Sequence, residues 1–301
     1  MVNSSNRADL IVEACTADHE RDRTATRASF NGIIQDAPSG VSTLIVNALS
    51  QQLIYQMQLL EPDRFLSFED LNVDLDRAAF PYVQTPAKAA LQRAIEARGE
   101  TMLINSSYRT VAQQMLLYHD RHNNGNPVAP PGTSNHQTGL AIDIEDPRGW
   151  DPYLIEQGWE PLAGDPPHFD YVGDSVVDLR STAILAFQKL WNLNYPEEPI
   201  DEDGSYGSGT EAALLRSPAN GFTKAPWDNS NPRELRLTTP RLEGADVFKL
   251  QTQLKKAGFP IVPDGELGEK TADAIHQFQQ KQGLIANGVA NAEVIAKLTT
   301  V

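Results

Sequence analysis

The stretch that decides the fold is Ser134-Asn-His-Gln-Thr-Gly-Leu-Ala-Ile-Asp143, in which a polar half precedes an apolar half. The apolar half predicts a short strand over residues 140–144. His136 and Asp143 lie seven residues apart, two turns if helical, which is too far for two ligands of one metal on a helix. Their side chains therefore meet only if a loop carrying His136 turns into the strand carrying Asp143. Gly139 favours such a turn, because glycine adopts backbone conformations that other residues avoid.

A second candidate ligand follows in Asp165-Pro-Pro-His168-Phe-Asp-Tyr171. The turn residues before His168 predict that a strand begins there and runs to residue 172. Neutral imidazole is the commonest metal ligand, and two histidines with one carboxylate form a catalytic zinc pattern. A histidine and an aspartate at arbitrary spacing are more often an accident of the surface, so the pattern depends on its surroundings. If the two strands are neighbours, His136, Asp143 and His168 can share one divalent cation.

Two kinds of side chain near this pattern carry further chemistry. Asp165 stands on a tight turn three residues before His168, where its carboxylate can accept the proton of an attacking water. Asp170 is a rival for this role, because alternate residues of a strand share a face. Arg109 follows a predicted strand over residues 101–106, and its guanidinium can stabilise a tetrahedral oxyanion or bind a substrate carboxylate.

The order of helices and strands predicts the fold class. The predicted helices cover residues 41–60, 86–98 and 111–122. In the second helix, Thr85 is the expected N-cap, Pro86 the first helical residue and Gly99 the residue past the end. Because helices and strands do not alternate regularly, the pattern favours an α+β fold, a small antiparallel sheet flanked by helices.

An internal repeat organises the last third of the chain. Asp203-Gly-Ser-Tyr-Gly-Ser-Gly-Thr210 corresponds to Asp264-Gly-Glu-Leu-Gly-Glu-Lys-Thr271. Each copy follows a predicted helix that carries a glutamine, Gln188 or Gln251, and each opens another helix. The Asp-Gly pair predicts a tight turn, and the threonine is expected to cap the following helix. The predicted division is a helical N-terminal extension of unassigned role at 1–61, a central domain at 62–177, a degenerate repeat at 178–222, a linker at 223–240 and a C-terminal domain at 241–301.

The composition excludes several classes of protein. The chain has 301 residues, 40% hydrophobic and 22% charged, a globular balance with room for two or three domains. The formal net charge of −15 argues against nucleic acid as a partner and against adsorption to anionic membranes, because both need a basic surface. No stretch has the length of a membrane span, and the single cysteine, Cys15, excludes an intramolecular disulfide. Residues 1–30 lack the apolar core of a secretory signal, which leaves the export route open.

Taken together, the motifs make residues 75–175 similar to the VanY-like D-alanyl-D-alanine carboxypeptidase family. The shared motifs are Ser106-Ser-Tyr-Arg109-Thr110 with Gln114 five residues after the arginine, Ser134-Asn-His136 continuing to Asp143, and Asp165-Pro-Pro-His168. Their order and separations also match. Two positions depart from the family pattern: Asp165 stands where most members carry glutamate, and Pro167 where most carry tryptophan.

This resemblance implies a zinc peptidase with a defined set of site residues. The implied zinc ligands are His136, Asp143 and His168. Asp165 is the implied general base, and Arg109 is the implied group that stabilises the transition state. The residues expected to bind substrate are Ser134, Gln114 and Tyr108. Because aspartate reaches less far than glutamate, Asp170 stays open as an alternative to Asp165.

Residues 241–301 resemble the small three-helix peptidoglycan-binding domain. The resemblance rests on Val247-Phe-Lys-Leu-Gln251, on the turn at Asp264–Thr271 and on Ala274-Ile-His-Gln-Phe278-Gln279. Residues 178–222 resemble a degenerate copy, for which wall binding and a purely structural role both stay open. The implied partners are peptidoglycan and its stem peptides, and the implied place of action is the cell envelope, either periplasm or cell wall.

The leading hypothesis is a zinc-dependent peptidoglycan hydrolase that acts on stem peptides as a D-Ala-D-Ala carboxypeptidase. The alternative within this class is an endopeptidase that cuts the L-Ala-D-Glu bond or a cross-link. A catalytically inactive wall-binding protein is an alternative from another class, motivated by the departures at Asp165 and Pro167. A third alternative is a structural protein or a component of a delivery machine that docks through its N-terminal 60 residues.

Overall fold

The computed structural model describes residues 30–123, 128–227 and 232–300. Cys15 and nearly all of the segment considered as a secretory signal lie outside these ranges. So do residues 124–127 and part of the predicted linker.

A five-stranded sheet and a two-stranded sheet form the β-structure of the described ranges. The strands are β1 (Phe65–Ser67), β2 (Val73–Leu75), β3 (Tyr82–Gln84), β4 (Met102–Ser106), β5 (Ala141–Ile144), β6 (Trp159–Pro161) and β7 (His168–Tyr171). The small sheet pairs β1 with β3, and the large sheet has the order β2-β4-β5-β7-β6. All pairs are antiparallel except β2–β4, which is parallel.

Nine α-helices lie within the described ranges, together with three short 3₁₀ helices. The α-helices are α1 (Asn47–Leu60), α2 (Thr85–Arg98), α3 (Val111–His119), α4 (Pro147–Glu156), α5 (Arg180–Asn194), α6 (Ser208–Leu215), α7 (Ala245–Lys256), α8 (Glu269–Lys281) and α9 (Ala292–Thr299). The predicted α+β class is confirmed. The prediction of an antiparallel sheet is wrong for β2 and β4, which are parallel. Helix α2 lies between them in the sequence and supplies the crossover connection that parallel neighbours need.

The helix boundaries differ from the predicted ones for local reasons. The first predicted helix begins with a 3₁₀ turn, Thr43–Val46, before α1. The second begins at Thr85 itself, so Gln84 and not Thr85 is the N-cap. The Thr85 hydroxyl donates instead to the carbonyl of Asp63, at 2.8 Å. The third predicted helix ends at His119, three residues early.

One hydrophobic cluster lies between the large sheet and the helices α2 and α4. It buries alternate residues of the two central strands, Ile142 and Ile144 of β5 and Phe169 and Tyr171 of β7. Successive side chains of a strand point to opposite faces. The intervening residues of β5 and β7 therefore project from the other face of the sheet.

A second hydrophobic cluster joins segments that are far apart in the sequence. Its members come mainly from α1, α3, α5 and α6. Gln52 of α1 reinforces this packing: its side-chain Nε2 donates to the carbonyl of Phe222 at 2.9 Å, and the N–H of Phe222 donates to its Oε1 at 2.8 Å. The described part of the N-terminal extension is thus packed against the degenerate repeat. The boundaries at residues 61 and 178 remain predictions, and this packing crosses both.

The repeat is built around a buried glutamine that holds the following turn. Gln251 donates from Nε2 to Oδ1 of Asp264 at 2.7 Å, and its Oε1 accepts the N–H of Gly265 at 2.8 Å. Gln188 makes the same contacts with Asp203 and Gly204, at 3.0 and 2.8 Å.

A third instance of this glutamine turn lies in the C-terminal helices. Gln279 donates to Asn287 Oδ1 at 2.9 Å and accepts the N–H of Gly288 at 2.9 Å.

The threonines of the repeat do not cap helices. Gly207 and Gly268 are the N-caps of α6 and α8. The hydroxyls of Thr210 and Thr271 instead accept hydrogen bonds from the repeat glutamines, at 3.3 and 3.1 Å. The predicted cap is therefore corrected: the threonine lies inside the first turn, where it satisfies a buried amide.

The C-terminal helices α7, α8 and α9 enclose a third hydrophobic cluster. Gln51 of α1 connects this part of the chain to the rest. Its Nε2 donates to the carbonyl of Arg241 at 2.7 Å, and its Oε1 accepts from the N–H of Glu243 at 2.8 Å and from Arg233 at 2.9 Å. Across the described ranges, no helix combines the length and the apolar character that crossing a bilayer requires.

Candidate metal centre

Strand pairing brings two of the candidate ligands together. β5 and β7 are antiparallel neighbours, and Asp143 lies directly opposite His168. Directly opposite residues of an antiparallel pair project from the same face. That face is the one opposite the hydrophobic cluster, since Ile142 and Phe169 point into the cluster. The predicted neighbour relation between these two strands is confirmed.

His136 reaches the same place from a short 3₁₀ helix, Asn135–Thr138. This helix ends at Gly139 with a φ of +68°, the left-handed conformation that the turn into β5 requires. A β-carbon at position 139 would lie 3.4 Å from the backbone nitrogen of Gln84 and 3.4 Å from the ring of Phe65. This β-carbon would make ordinary contacts, but the positive φ would strain a residue with a side chain, so Gly139 favours the turn that brings His136 to the site.

Hydrogen bonds set which histidine nitrogens can bind a cation. Nδ1 of His136 lies 2.8 Å from the carbonyl oxygen of Ser107; a carbonyl only accepts, so this nitrogen carries the proton. Nε2 of His136 therefore presents its lone pair, 3.3 Å from Oδ2 of Asp143. Nδ1 of His168 lies 3.0 Å from Oδ1 of the same carboxylate.

The three side chains form a compact donor set. One candidate ligand atom from each of His136, Asp143 and His168 lies within 4.8 Å of the other two. Two imidazoles and one carboxylate are donors that zinc accepts, and three protein ligands leave a fourth position for water or substrate. The residues present therefore fit a divalent cation, although the same donors suit other divalent ions as well.

The protonation states of two ligands favour cation binding. Burial alone would raise the pKa of Asp143, but the two histidines and Arg109 hold the pKa of this carboxyl well below its usual range. Burial lowers the pKa of His136, and the charge of Asp143 only partly opposes this. An ionised carboxylate and a neutral imidazole are the forms that ligate metals.

His168 lies between two carboxylates. Its Nδ1 faces Asp143, and its Nε2 lies 3.1 Å from Oδ1 of Asp170. Burial alone would lower the pKa of His168, but its contacts with Asp143 and Asp170 outweigh burial and raise the pKa to about 9.

This raised pKa predicts a pH-dependent stability of the metal-free protein. A group whose pKa is higher in the folded state stabilises the fold fully below its unfolded pKa of about 6.5. That contribution is lost as the pH rises through the folded pKa of His168, about 9. We expect the free energy of unfolding of the chelator-treated protein, measured in urea, to fall between pH 6.5 and 9. His168→Gln should give a flatter profile, and a wild-type profile equally flat would contradict the prediction.

Arg109 lies at the border of the ligand cluster. One terminal nitrogen donates to Ser106 Oγ at 3.2 Å and lies 3.8 Å from Asp143 Oδ2. The other donates to Gln114 Oε1 at 3.3 Å. The backbone N–H of Arg109 donates to the carbonyl of His136 at 3.1 Å. The guanidinium is therefore held in place beside the ligands, and its carboxylate neighbour Asp143 is ionised.

Two carboxylates compete for the role of base. Asp165 lies in the turn between β6 and β7, and its carbonyl accepts the N–H of His168 at 3.0 Å. Burial and the charge of Asp143 raise the pKa of the Asp165 carboxyl, which suits a group that must take up a proton. Asp170 is engaged on both oxygens: Oδ1 contacts His168, and Oδ2 accepts from Asn135 Nδ2 at 3.0 Å. This arrangement favours Asp165 over Asp170 as the base.

Two of the three residues expected to bind substrate lie next to the ligand cluster. Ser134 directly precedes the 3₁₀ helix that carries His136 and is 8% exposed. Gln114 is buried behind Arg109, and its Nε2 donates to the carbonyl of Ala129 at 2.7 Å. Gln114 thus holds Arg109 and the loop before Ser134.

Tyr108, the third residue expected to bind substrate, is buried in the core. Its side chain is 2% exposed and belongs to the hydrophobic cluster shared by α1, α3 and α5. Its ring centroid lies 4.5 Å from that of Phe65, at a steep angle typical of edge-to-face packing. Tyr108 follows β4 with its ring turned into the core, where it supports the fold, and its expected contact with substrate stays a prediction.

Three supporting residues were not singled out in the sequence. Ser107 orients His136, Asn135 binds Asp170, and Ser106 holds Arg109. Ser106 faces Asp143 because the β4–β5 pairing shifts register between residues 104 and 106. Such irregularities redirect side chains next to functional sites. Their position inside two of the family motifs was an available signal, but the partners of Ser107 and Asn135 are 29 and 35 residues away.

Two families match parts of this chain. Residues 82–161 match the VanY family, described as D-alanyl-D-alanine carboxypeptidase, and residues 243–298 match the family described as putative peptidoglycan binding domain. Both resemblances noted in the motifs are thereby confirmed. The VanY match includes Arg109, His136 and Asp143 and ends before Asp165 and His168. The place of His168 in the cluster consequently rests on the strand pairing described above.

Two curated proteins of Bacillus licheniformis are similar to part of the chain. One, named probable N-acetylmuramoyl-L-alanine amidase, is 32% identical over 108 residues, which cover 33% of this chain and 30% of the relative. The other, named N-acetylmuramoyl-L-alanine amidase CwlL, is 32% identical over 117 residues, which cover 34% of this chain and 31% of the relative. The chain thus matches about a third of the length of either relative.

Proposed function

We propose that this protein is a zinc-dependent peptidoglycan hydrolase that cleaves an amide bond of the stem peptides. The observation that carries the proposal is the cluster of His136, Asp143 and His168, whose donor atoms converge beside a fixed arginine. The VanY match over residues 82–161 supports the same chemistry, because it includes two of the three ligands. The proposed ligand, base and transition-state roles are those expected from the sequence.

The chain's own residues define the steps of the reaction. Zinc, when bound by the three ligands, would polarise the scissile carbonyl and make the attacking water more acidic. Asp165 would accept the proton of this water and return it to the leaving amine, a role that its raised pKa supports. Arg109 would stabilise the negative charge that develops on the carbonyl oxygen, since its guanidinium is already oriented by Ser106 and Gln114.

The C-terminal domain is proposed to hold the enzyme on its polymeric substrate. Residues 243–298 match the putative peptidoglycan binding domain, and the domain has its own hydrophobic cluster. Gln51 of α1 is hydrogen-bonded to Arg241 and Glu243 at the start of this domain and to Arg233 of the preceding linker. We accordingly propose that the protein acts in the cell envelope, by an export route that stays open.

The first choice of reaction is D-Ala-D-Ala carboxypeptidase, with an endopeptidase as the alternative. Mass spectrometry of a synthetic stem pentapeptide incubated with the zinc-loaded protein would identify the cut bond. Loss of one terminal D-alanine, abolished when that terminus is amidated, would support the carboxypeptidase. Internal cleavage that survives amidation would favour the endopeptidase, and no cleavage of any stem peptide or sacculus would overturn the proposal.

The names of the two relatives motivate a second candidate, an N-acetylmuramoyl-L-alanine amidase. Such an enzyme would release the intact stem from muramic acid. A disaccharide-linked stem peptide distinguishes it from a peptidase, because only the amidase separates sugar from peptide without shortening the stem. The donor set alone is compatible with both reactions, whereas the VanY match favours the peptidase.

Replacing Arg109 with lysine is expected to lower kcat by about 10- to 100-fold. Lysine keeps the positive charge but loses the planar fork that Ser106 and Gln114 orient. Steady-state kinetics on the stem peptide would measure the change, and zinc content should remain at the wild-type level. Gln114→Glu is a matched test of orientation, because it leaves Arg109 present. An unchanged kcat in Arg109→Lys would exclude a role for the guanidinium in the transition state.

A further inference from the structure

The far side of His168 carries an unassigned interaction. Its Nδ1 points at Asp143 and so belongs to the ligand cluster. Its other nitrogen, Nε2, is buried and makes no hydrogen bond of regular geometry within the described ranges. The carboxylate of Asp170 lies 3.1 Å away from it. An imidazole that binds a cation through Nδ1 must carry its proton on Nε2, and that proton requires an acceptor.

Asp170 is well placed to be this acceptor. It lies two residues after His168 on β7, so both side chains project from the same face of the strand. Its second oxygen accepts a hydrogen bond from Asn135 Nδ2 at 3.0 Å. Asn135 in turn directly precedes the ligand His136 on the 3₁₀ helix. A chain of contacts therefore runs from the element that carries one histidine to the ring of the other.

This chain joins two elements that the sequence holds far apart. Asn135 and Asp170 are 35 residues from each other, and each is within two positions of a ligand. Asp143 contacts both histidines and reaches His168 at Nδ1, whereas Asp170 reaches His168 at Nε2. Asp143 and the Asn135–Asp170 pair consequently hold His168 from both of its nitrogens.

We propose that Asp170, braced by Asn135, is a positioning residue that fixes the orientation and tautomer of His168 for cation binding through Nδ1. The inference rests on the proposed metal site and assigns a role to a carboxylate that the proposed reaction does not use. Partners of this kind typically change metal affinity by about 10- to 100-fold when they are removed. Asp170 is thereby distinguished from Asp165, whose proposed contact is with the reacting water.

The test compares zinc affinities of full-length variants by competition with a chromophoric chelator. Asp170→Asn should weaken zinc binding by about 10- to 100-fold, and Asn135→Ala should weaken it by a smaller factor, because the carboxylate remains. Asp165→Asn is the charge-matched control. It also removes a carboxylate near both histidines, but not the carboxylate that contacts Nε2 of His168. Asp174 is an exposed carboxylate four residues beyond Asp170. The Asp174→Asn variant should bind zinc like the wild type.

A second readout separates orientation from a general loss of structure. Long-range ¹H–¹⁵N NMR of the zinc-loaded wild type should show His168 coordinated through Nδ1 and protonated on Nε2. Coordination through Nε2 would overturn the inference, as would an Asp170→Asn affinity within about twofold of the wild type. Wild-type protein that binds no zinc would overturn the proposed function together with this inference, whereas tight wild-type binding with an unaffected Asp170→Asn would overturn the inference alone.

Discussion

Replacing His136 with alanine is expected to abolish stoichiometric zinc binding and to reduce hydrolysis of stem peptides by about 1000-fold or more. The variant keeps Asp143 and His168 but loses the nitrogen that Ser107 orients towards the cluster. A bound metal contributes several kcal/mol of charge stabilisation, and 1.36 kcal/mol corresponds to a tenfold change in rate. Elemental analysis of the purified protein should find about one zinc per chain in the wild type and almost none in the variant.

His119→Ala is the control for this experiment. His119 ends α3, is exposed and lies outside the ligand cluster, so its removal should change neither zinc content nor activity. Thermal unfolding of both variants in the presence of a chelator would show that the metal-free folds are comparable. Zinc retained at the wild-type level in His136→Ala would mean that the cluster is not the metal site.

Replacing Asp165 with asparagine is expected to reduce kcat by about 100- to 10,000-fold while zinc remains bound, because loss of a positioned general base has effects of this size. Asparagine preserves the shape of the turn and the backbone hydrogen bond to His168 but cannot accept the proton. Steady-state kinetics, paired with zinc analysis of the same sample, would separate loss of the base from loss of the metal.

Asp165→Glu is the informative companion, since glutamate is what most members of the similar family carry. It should retain far more activity than Asp165→Asn, because it keeps a carboxylate at this turn. If Asp165→Asn is as active as the wild type, the base lies elsewhere, and Asp170 would be the next residue to replace.

The ligand cluster could be predicted because each of its members is determined locally. Gly139 ends the loop of His136 in the left-handed conformation expected from the sequence. The alternation of β5 and β7 then places Asp143 and His168 on one face, and antiparallel pairing sets them opposite each other. The pairing itself is not local, and the motif resemblance supplied it. The α+β class followed from the same irregular order of helices and strands.

The residues that support the cluster could not be predicted with the same reasoning. Asp170 was open as a base because its position on β7 allows it to face the cluster, and only the contact with Asn135 shows how it is engaged. Tyr108 belongs to a motif of the family, but a motif does not state which way a side chain turns. Its burial depends on Phe65 and on α1, which come from other parts of the chain.

Long-range polar contacts were equally beyond prediction. Gln51 and Gln52 are neighbouring residues of α1 that bind segments 190 and 170 positions away in the sequence. Both lie in a helix whose apolar residues alone pointed to a packed face. A buried amide needs partners for its donors and acceptor, yet composition and spacing do not say which backbone groups provide them.

The packing of α1 against α5 limits where this protein can be divided or recombined. A fragment that starts at residue 62 would leave the apolar side of α5 in water, and one that stops at residue 177 would do the same to α1. Exposed apolar faces of this kind promote aggregation. The portion better suited to exchange is therefore the C-terminal helical domain with its separate cluster, whereas residues 30–222 are best transplanted whole.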